Sequence, residues 1–411
     1  MGLSMDEEQS AVASSRCPER APAHVSVKVL APGIVLLLLQ FLLVLAIYLP
    51  AIRGGGADFR TIYTVGYMVR TGHGHDIYDE NIQKNFQNAL VSKTYQPIPY
   101  FRFAYQALFF VPFSLLSYIQ AYFLFLAFNL GLLFLCMMLL RPYMLNLERI
   151  NFCLPALLFL FFPVTVALMQ GQDSILLLAL LTGSFLCLQR ERDTAAGALV
   201  ALGLIKFQIV IPIFLLFLAW RRWRFSAAFA CTSAVLAGIS AWIIGFPQMV
   251  GYLHTLIGIG STLGFTLSAP AKMNMMANLH GALYAILKGS SLVLPLTVAA
   301  SAAVMILVAL RRPRGSDALL IAIPVGALVS YYMYIHDLCI LILPIIVILD
   351  RLIGTGKDNY RYRNLQLWAA VLLLIAPTAL IFAPTLYWTA AFPLLAFTFA
   401  IALRQPAVTA Y

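Results

Sequence analysis

Charge is what this chain has least of. Only 10% of its 411 residues are Asp, Glu, Lys or Arg, against about 25% in soluble domains, and 62% are hydrophobic. That shortage excludes a string of soluble domains. The net charge of +11 does not point to nucleic acid, because the basic residues stand in short clusters between apolar runs and form no continuous face. Cysteine is equally uninformative: Cys17, Cys136, Cys153, Cys187, Cys231 and Cys339 are scattered singly, with no C-x-x-C and no His/Cys spacing suited to zinc. They read as small apolar side chains, and no metal is expected. The glycine signatures G-x-x-x-x-G-K-[ST] and G-x-G-x-x-G are missing, so no nucleotide cofactor is implied. No heptad, solenoid period or low-complexity repeat is visible. The interrupted stretch 195–220 has no partner in another half of the chain, which weighs against a transporter of inverted repeats.

What is present is a succession of apolar runs. The run 29–50 is long enough to cross a bilayer, which takes about twenty helical residues. It lies too far from the start and is too long for a cleaved signal peptide, so it reads as an anchor behind a disordered cytoplasmic tail over 1–28. The remainder, 29–411, reads as one all-α, polytopic transmembrane domain. A large first extracytoplasmic loop covers 51–103. Residues 104–117 are apolar but short and contain Pro112, which suits a re-entrant or interfacial segment. The stretch 195–220 is basic at both ends and interrupted by Lys206 and Gln208. Two half-helices that dip in and return, with Lys206 near the turn, fit it better than one crossing.

Spans over about 118–140, 151–169, 174–189, 225–245, 291–310, 318–335, 338–350, 365–384 and 386–403 complete a bundle of roughly ten crossings. On this map, 18 of the 27 Lys and Arg fall on the cytoplasmic side, 8 outside, and one, Lys206, within the membrane. The bias obeys the positive-inside rule. Titratable groups gather outside, where His73, His75, His254, His280 and His336 join Asp58.

Asp58 follows the first span by eight residues, after Gly54-Gly55-Gly56-Ala57. It suits a general base facing an acceptor hydroxyl, while spacing alone favours the plainer reading of a solvated loop acid or an N-cap for the helix that follows. His336-Asp337 ends an outward helix rich in tyrosine. The imidazole there could donate to a phosphate with Asp337 fixing its tautomer, or it could be an interfacial residue of an aromatic belt. Lys206 needs a partner at membrane depth, which a lipid phosphate would supply, as would a second helix or snorkelling. Gly171-Gln172-Asp173-Ser174 forms an outer turn where Gln172 offers hydrogen bonds and Asp173 reads as an N-cap. Asn278 and His280 lie among methionines in a loop suited to a lipid headgroup or to simple packing.

Taken in order, these elements resemble the polyprenol-phosphate-sugar-dependent glycosyltransferases of the GT-C superfamily, most closely glycosyltransferase family 87. The resemblance rests on Asp58-Phe59 with Tyr63, Gly72 and Tyr78-Asp79, then Phe103-Ala104-Tyr105 with Pro112 and Gly171-Gln172. It continues through Gly197 to Ile205-Lys206, the Arg-Arg-Trp-Arg cluster, Asn278-Leu279 with Gly281, and Ser330 through His336-Asp337-Leu338. It implies a metal-independent, inverting transferase without cofactor, passing a sugar, commonly mannose, from a polyprenyl-phosphate donor to a lipid or glycan acceptor. The work would be done at the outer face of a bacterial plasma membrane. Asp58 and His336 take the catalytic places, while Arg60, Tyr63, Gln172, Lys206, Asn278, His280 and Asp337 bind substrate. Gln106 stands where the family often has Pro, Asp173 where Asn is usual, and Phe207 where Pro often follows the Lys. A carrier or flippase for a lipid-linked sugar is the alternative.

Overall fold

The computed structural model describes residues 27–149, 161–259, 273–354, 360–380 and 383–403. The expected tail up to residue 26 and the expected start of the third span, 151–160, lie outside them. Among the described residues helices are the only regular secondary structure. In order it forms α1 (Val27–Arg53), α2 (Phe59–Arg70), α3 (Glu80–Leu90), α4 (Tyr105–Phe110), α5 (Tyr118–Leu140) and α6 (Leu145–Arg149). Then come α7 (Phe162–Gln170), α8 (Ser174–Gln189), α9 (Asp193–Leu202), α10 (Phe207–Ala219), α11 (Trp223–Ile244) and α12 (Phe246–Ile259). The last six are α13 (Leu279–Ile286), α14 (Val293–Ala309), α15 (Asp317–Val329), α16 (Ile342–Gly354), α17 (Tyr360–Ala379) and α18 (Ala391–Ala402).

Four stretches are long and apolar enough to cross a membrane: Tyr118–Tyr143, Asp193–Ala219, Trp223–Ile244 and Pro384–Ala402. Shorter apolar helices are Phe41–Arg53, Ser174–Gln189, Val293–Ala309 and Asp317–Val329. The second long stretch is not a crossing. A 3-10 turn at Gly203–Lys206 breaks it, and its two ends meet: the Arg222 guanidinium reaches Asp193 at 2.6 and 2.9 Å. Phe217 stacks on Phe225 at 3.9 Å, while a Cβ on Gly197 would lie 2.2 Å from the Phe225 carbonyl. A segment whose start and finish share an ion pair has returned to its own side. The expected dip with Lys206 at its tip is what the chain forms.

The bundle has two unlike ends. At one, Arg222 pairs with Asp193, Arg351 with Asp317 at 2.6 Å, and Asp350 accepts the backbone N–H groups of Asn146 and Leu147, both at 2.9 Å. At the other lie Lys206, the start of α8 and the 3-10 segment Ile335–Leu341 after α15. Helix α8 joins the two ends with 16 residues, a rise of about 24 Å.

The loop after α1 is folded, and its internal polar groups are why. Arg60 is fully buried and donates to the carbonyls of Ser92 at 2.7 Å and Tyr95 at 2.9 Å and to Asn88 at 3.2 Å. Gln87 reads the backbone of Ile98 like a strand partner, donating at 2.7 Å and accepting at 3.0 Å. Asp79 caps α3 through the N–H groups of Asn81 and Ile82, both at 2.9 Å. Residues 104–117 stay short: α4, then a 3-10 turn at Phe113–Leu115, packed against α2. The stretch between α11 and α14, read from the sequence as an outer loop, contains helices α12 and α13.

Candidate active site

A cavity of about 450 Å³ opens between the folded loop, the α7–α8 turn, the tip of the α9–α10 dip and the end of α15. Its polar lining includes Asp58, Gln170, Gln172, Arg102, Lys206 and His336. Phe101, Phe207, Met273, Met275, Met276, Tyr331, Tyr332 and Tyr387 make much of the rest.

Asp58 stands at the first turn of α2 but makes no cap hydrogen bond with its side chain. Its Oδ2 instead accepts from the Gln172 amide. The N-cap reading therefore falls away. Asp173 gives the same result: it precedes α8 without capping it. It is fully buried, with Arg102 at 2.8 Å from Oδ2, Lys206 at 3.3 Å from Oδ1, and the Gln106 amide donating to Oδ2. Gly171 makes this turn possible through its left-handed conformation, φ +59°. A Cβ there would lie 2.7 Å from the Cβ of Phe59, so the turn rests directly against the residue after Asp58.

Lys206 is the hub. Its ammonium has Asp337 at 2.9 Å, Asp173 at 3.3 Å and the Gln172 side-chain oxygen at 3.1 Å. Asp337 and Gln172 accept hydrogen bonds from it, and the Asp173 carboxylate adds a second negative charge beside an ammonium that is only 4% exposed. Asp337 also accepts from Ser174 at 2.6 Å and lies 3.5 Å from the His336 ring. Burial alone would push the Asp337 carboxyl up, but Lys206 and His336 beside it hold it well below the usual carboxylate range. Burial pushes the His336 imidazole down, so it is neutral at pH 7.

The cavity brings together Asp58, Gln172, Lys206 and His336 from the residues singled out in the sequence. Asp337 sits behind them at 1% exposure, holding Lys206 and His336 in place. Four others do not line it. The Arg60 guanidinium is enclosed by the loop carbonyls, and the Tyr63 hydroxyl donates to Leu116 at 2.8 Å. Asn278 caps α13 through Gly281 N at 3.0 Å and donates to the Ser330 carbonyl at 2.6 Å. His280 is buried, with no hydrogen-bond partner on either ring nitrogen, 5.1 Å from the ring of Tyr331. Among the described residues no group of His, Cys, Asp or Glu could hold a metal ion.

Sequence reasoning missed Arg102. It is the only cation between Lys93 and Arg141, and a lone arginine at the mouth of an apolar segment asks for a distant acid. That acid is Asp173. Arg102 donates to Gln172 at 3.1 Å as well, yet keeps one-fifth of its side chain exposed at the cavity.

Comparison with curated proteins and with solved structures finds no match. The model of glycosyltransferase family 87 does match, over residues 105–344, more than half of the chain. The matched part holds Gln172, Lys206 and His336, while Asp58 and Arg102 lie before it. The chain belongs to glycosyltransferase family 87 and is a membrane glycosyltransferase.

Proposed function

We propose that the protein transfers a sugar, mannose by family resemblance, from a polyprenyl-phosphate donor to a lipid or glycan acceptor at the extracytoplasmic face, with inversion. One observation carries this reading. A carboxylate, Asp58, shares a largely apolar cavity with a guanidinium, Arg102, whose side chain stays one-fifth exposed where an anion would sit.

In the proposed step the acceptor oxygen attacks the anomeric carbon while Asp58 takes the hydroxyl proton. The new C–O bond forms as the bond from that carbon to the phosphate oxygen breaks, and polyprenyl phosphate leaves. Negative charge grows on the phosphate as it departs. Arg102 and His336 face that charge in a low-dielectric site where each contact counts for more than in water. Lys206, enclosed by its own acceptors, supports the wall.

Depth supports a lipid-borne donor. The site sits about 24 Å above the basic end of α8, less than the roughly 30 Å of a hydrocarbon core. A phosphate at the top of a prenyl chain can reach such a recessed cavity from the side. The basic end carries the clusters expected in the cytoplasm, which supports a cavity facing the opposite side.

The test is Asp58→Asn in purified protein given polyprenyl-phosphate mannose and a membrane lipid extract, with products read by mass spectrometry. Turnover should fall by about 10²- to 10⁴-fold while donor binding is kept. Full activity in Asp58→Asn would end the assignment of the base. Movement of donor across vesicles with no new glycosidic bond would favour a carrier.

A further inference from the structure

We infer that Gln172 is a positioning residue for the base, and that Arg102 and Lys206 are what make it one. The inference rests on Asp58 acting as the base. An amide side chain can present either its oxygen or its NH₂ to a neighbour, and here the choice is forced. The Gln172 oxygen receives Arg102 at 3.1 Å and Lys206 at 3.1 Å. Turning the amide over would set its N–H groups against two cations, so the NH₂ must point the other way. In that direction it meets Asp58 Oδ2.

The backbone of Gln172 is fixed too. Its N–H donates to the Ala167 carbonyl at 2.9 Å, and its own carbonyl accepts from Asn129 at 3.3 Å. The preceding Gly171 packs against Phe59. Two fixed points, one on each side of the amide, therefore bear on one carboxylate.

Two consequences follow for the chemistry. One oxygen of Asp58 is occupied by a neutral donor, leaving Oδ1 as the one to receive a proton; among the described residues it has no hydrogen-bond partner. The N–H also meets the carboxylate without bringing a second charge to it. Lys206 and Arg102 thus act on the base through an amide and never touch it. A direct cation contact would weaken it as a proton acceptor.

The experiment compares Gln172→Glu and Gln172→Asn with the wild-type full chain. Gln172→Glu keeps the shape and both cation contacts but replaces the donated N–H with a like charge. Gln172→Asn stays neutral but is one methylene too short to span the cations and Asp58. The acid limb of kcat/KM against pH should move up by about one pH unit or more in Gln172→Glu and by less in Gln172→Asn. Donor KM should change little beside kcat. The donor phosphodiester stays ionised across this range, so the limb belongs to the protein.

Infrared difference spectra give a reading without turnover. The Asp58 carboxylate band, identified by its loss in Asp58→Asn, should titrate higher in both variants. If Gln172→Glu fails to fold, Gln172→Asn decides. An unshifted limb and an unshifted band in folded, donor-binding protein overturn the inference. Undiminished activity in Asp58→Asn instead overturns the proposed base itself, whatever position 172 does.

Discussion

Gln106 donates its side-chain amide to Asp173, and these are two of the three places where the chain departs from the pattern usual in the family it resembles. Neither departure makes sense alone. A carboxylate at 173 is fully buried and must be matched by donors, whereas the usual Asn would carry no charge. A Gln at 106 supplies one donor and Arg102 supplies a cation 2.8 Å away. The third departure, Phe207, stands apart from this pair, with its ring edge-on to Phe103 at 5.8 Å.

The pair should therefore behave as a unit in a double-mutant cycle. Gln106→Ala strips a donor from a buried carboxylate and should cost about 1–3 kcal/mol of unfolding free energy in detergent. In an Asp173→Asn background the same change should cost distinctly less, leaving a coupling on the order of 1 kcal/mol. Purely additive effects would show that the two side chains meet without depending on each other.

Arg60 tests whether proximity in sequence to Asp58 means participation. Its guanidinium is buried among the carbonyls of Ser92 and Tyr95, and it does not line the cavity. Arg60→Ala should destabilise the protein by about 2–4 kcal/mol by leaving those carbonyls unpaired. Arg60→Lys should rescue little, since one ammonium cannot copy the guanidinium fork. The protein that remains folded should keep the donor KM of the wild type. A raised KM at unchanged stability would return Arg60 to the substrate.

Which parts were legible in the sequence follows from how each residue is held. The dip at Lys206 was readable because basic residues at both ends of one apolar run contradict a crossing, and the Asp193–Arg222 pair closes it accordingly. Asp58, Gln172 and His336 were readable as polar groups next to long apolar segments. Arg60 and Tyr63 misled because a folded loop needs internal donors as much as a ligand does, and local pattern does not distinguish the two. Asp173 looked like a cap because its spacing before α8 is right for one. Only the positions of Arg102, Lys206 and Gln106, all distant in sequence, turn it inward. Tertiary partners settled those roles, and no window of sequence contains them.

Gly171 should not tolerate a side chain. Its backbone is in the left-handed region at φ +59°, where alanine costs about 1–2 kcal/mol. The added Cβ would also press on the Cβ of Phe59, which has no rotamer to retreat into. The relief available is a shift of the α7–α8 turn away from α2, which would part Gln172 from Asp58. Gly171→Ala should thus lower kcat by more than the lost stability explains, at a donor KM close to normal. A stable variant with unchanged kcat would show that the turn is not held to this tolerance.

Donor binding should take up a proton at His336. In the free protein burial holds the imidazole below its ordinary range, so it is neutral at pH 7. A phosphate set against the ring favours the imidazolium and raises that pKa in the complex. A group whose pKa is higher in the bound state binds protons along with the ligand. Affinity must then rise as pH falls through the bound-state value, and level off below the free-state value. Between the two, the donor Kd should fall about tenfold per pH unit. His336→Gln keeps a donor but cannot titrate, so its Kd should be flat across the same range while matching the wild type at high pH. The measurement is donor titration at several pH values in two buffers of different ionisation enthalpy, which counts the protons directly. Binding in the wild type that neither depends on pH nor takes up protons would place the phosphate away from His336, against Arg102 alone.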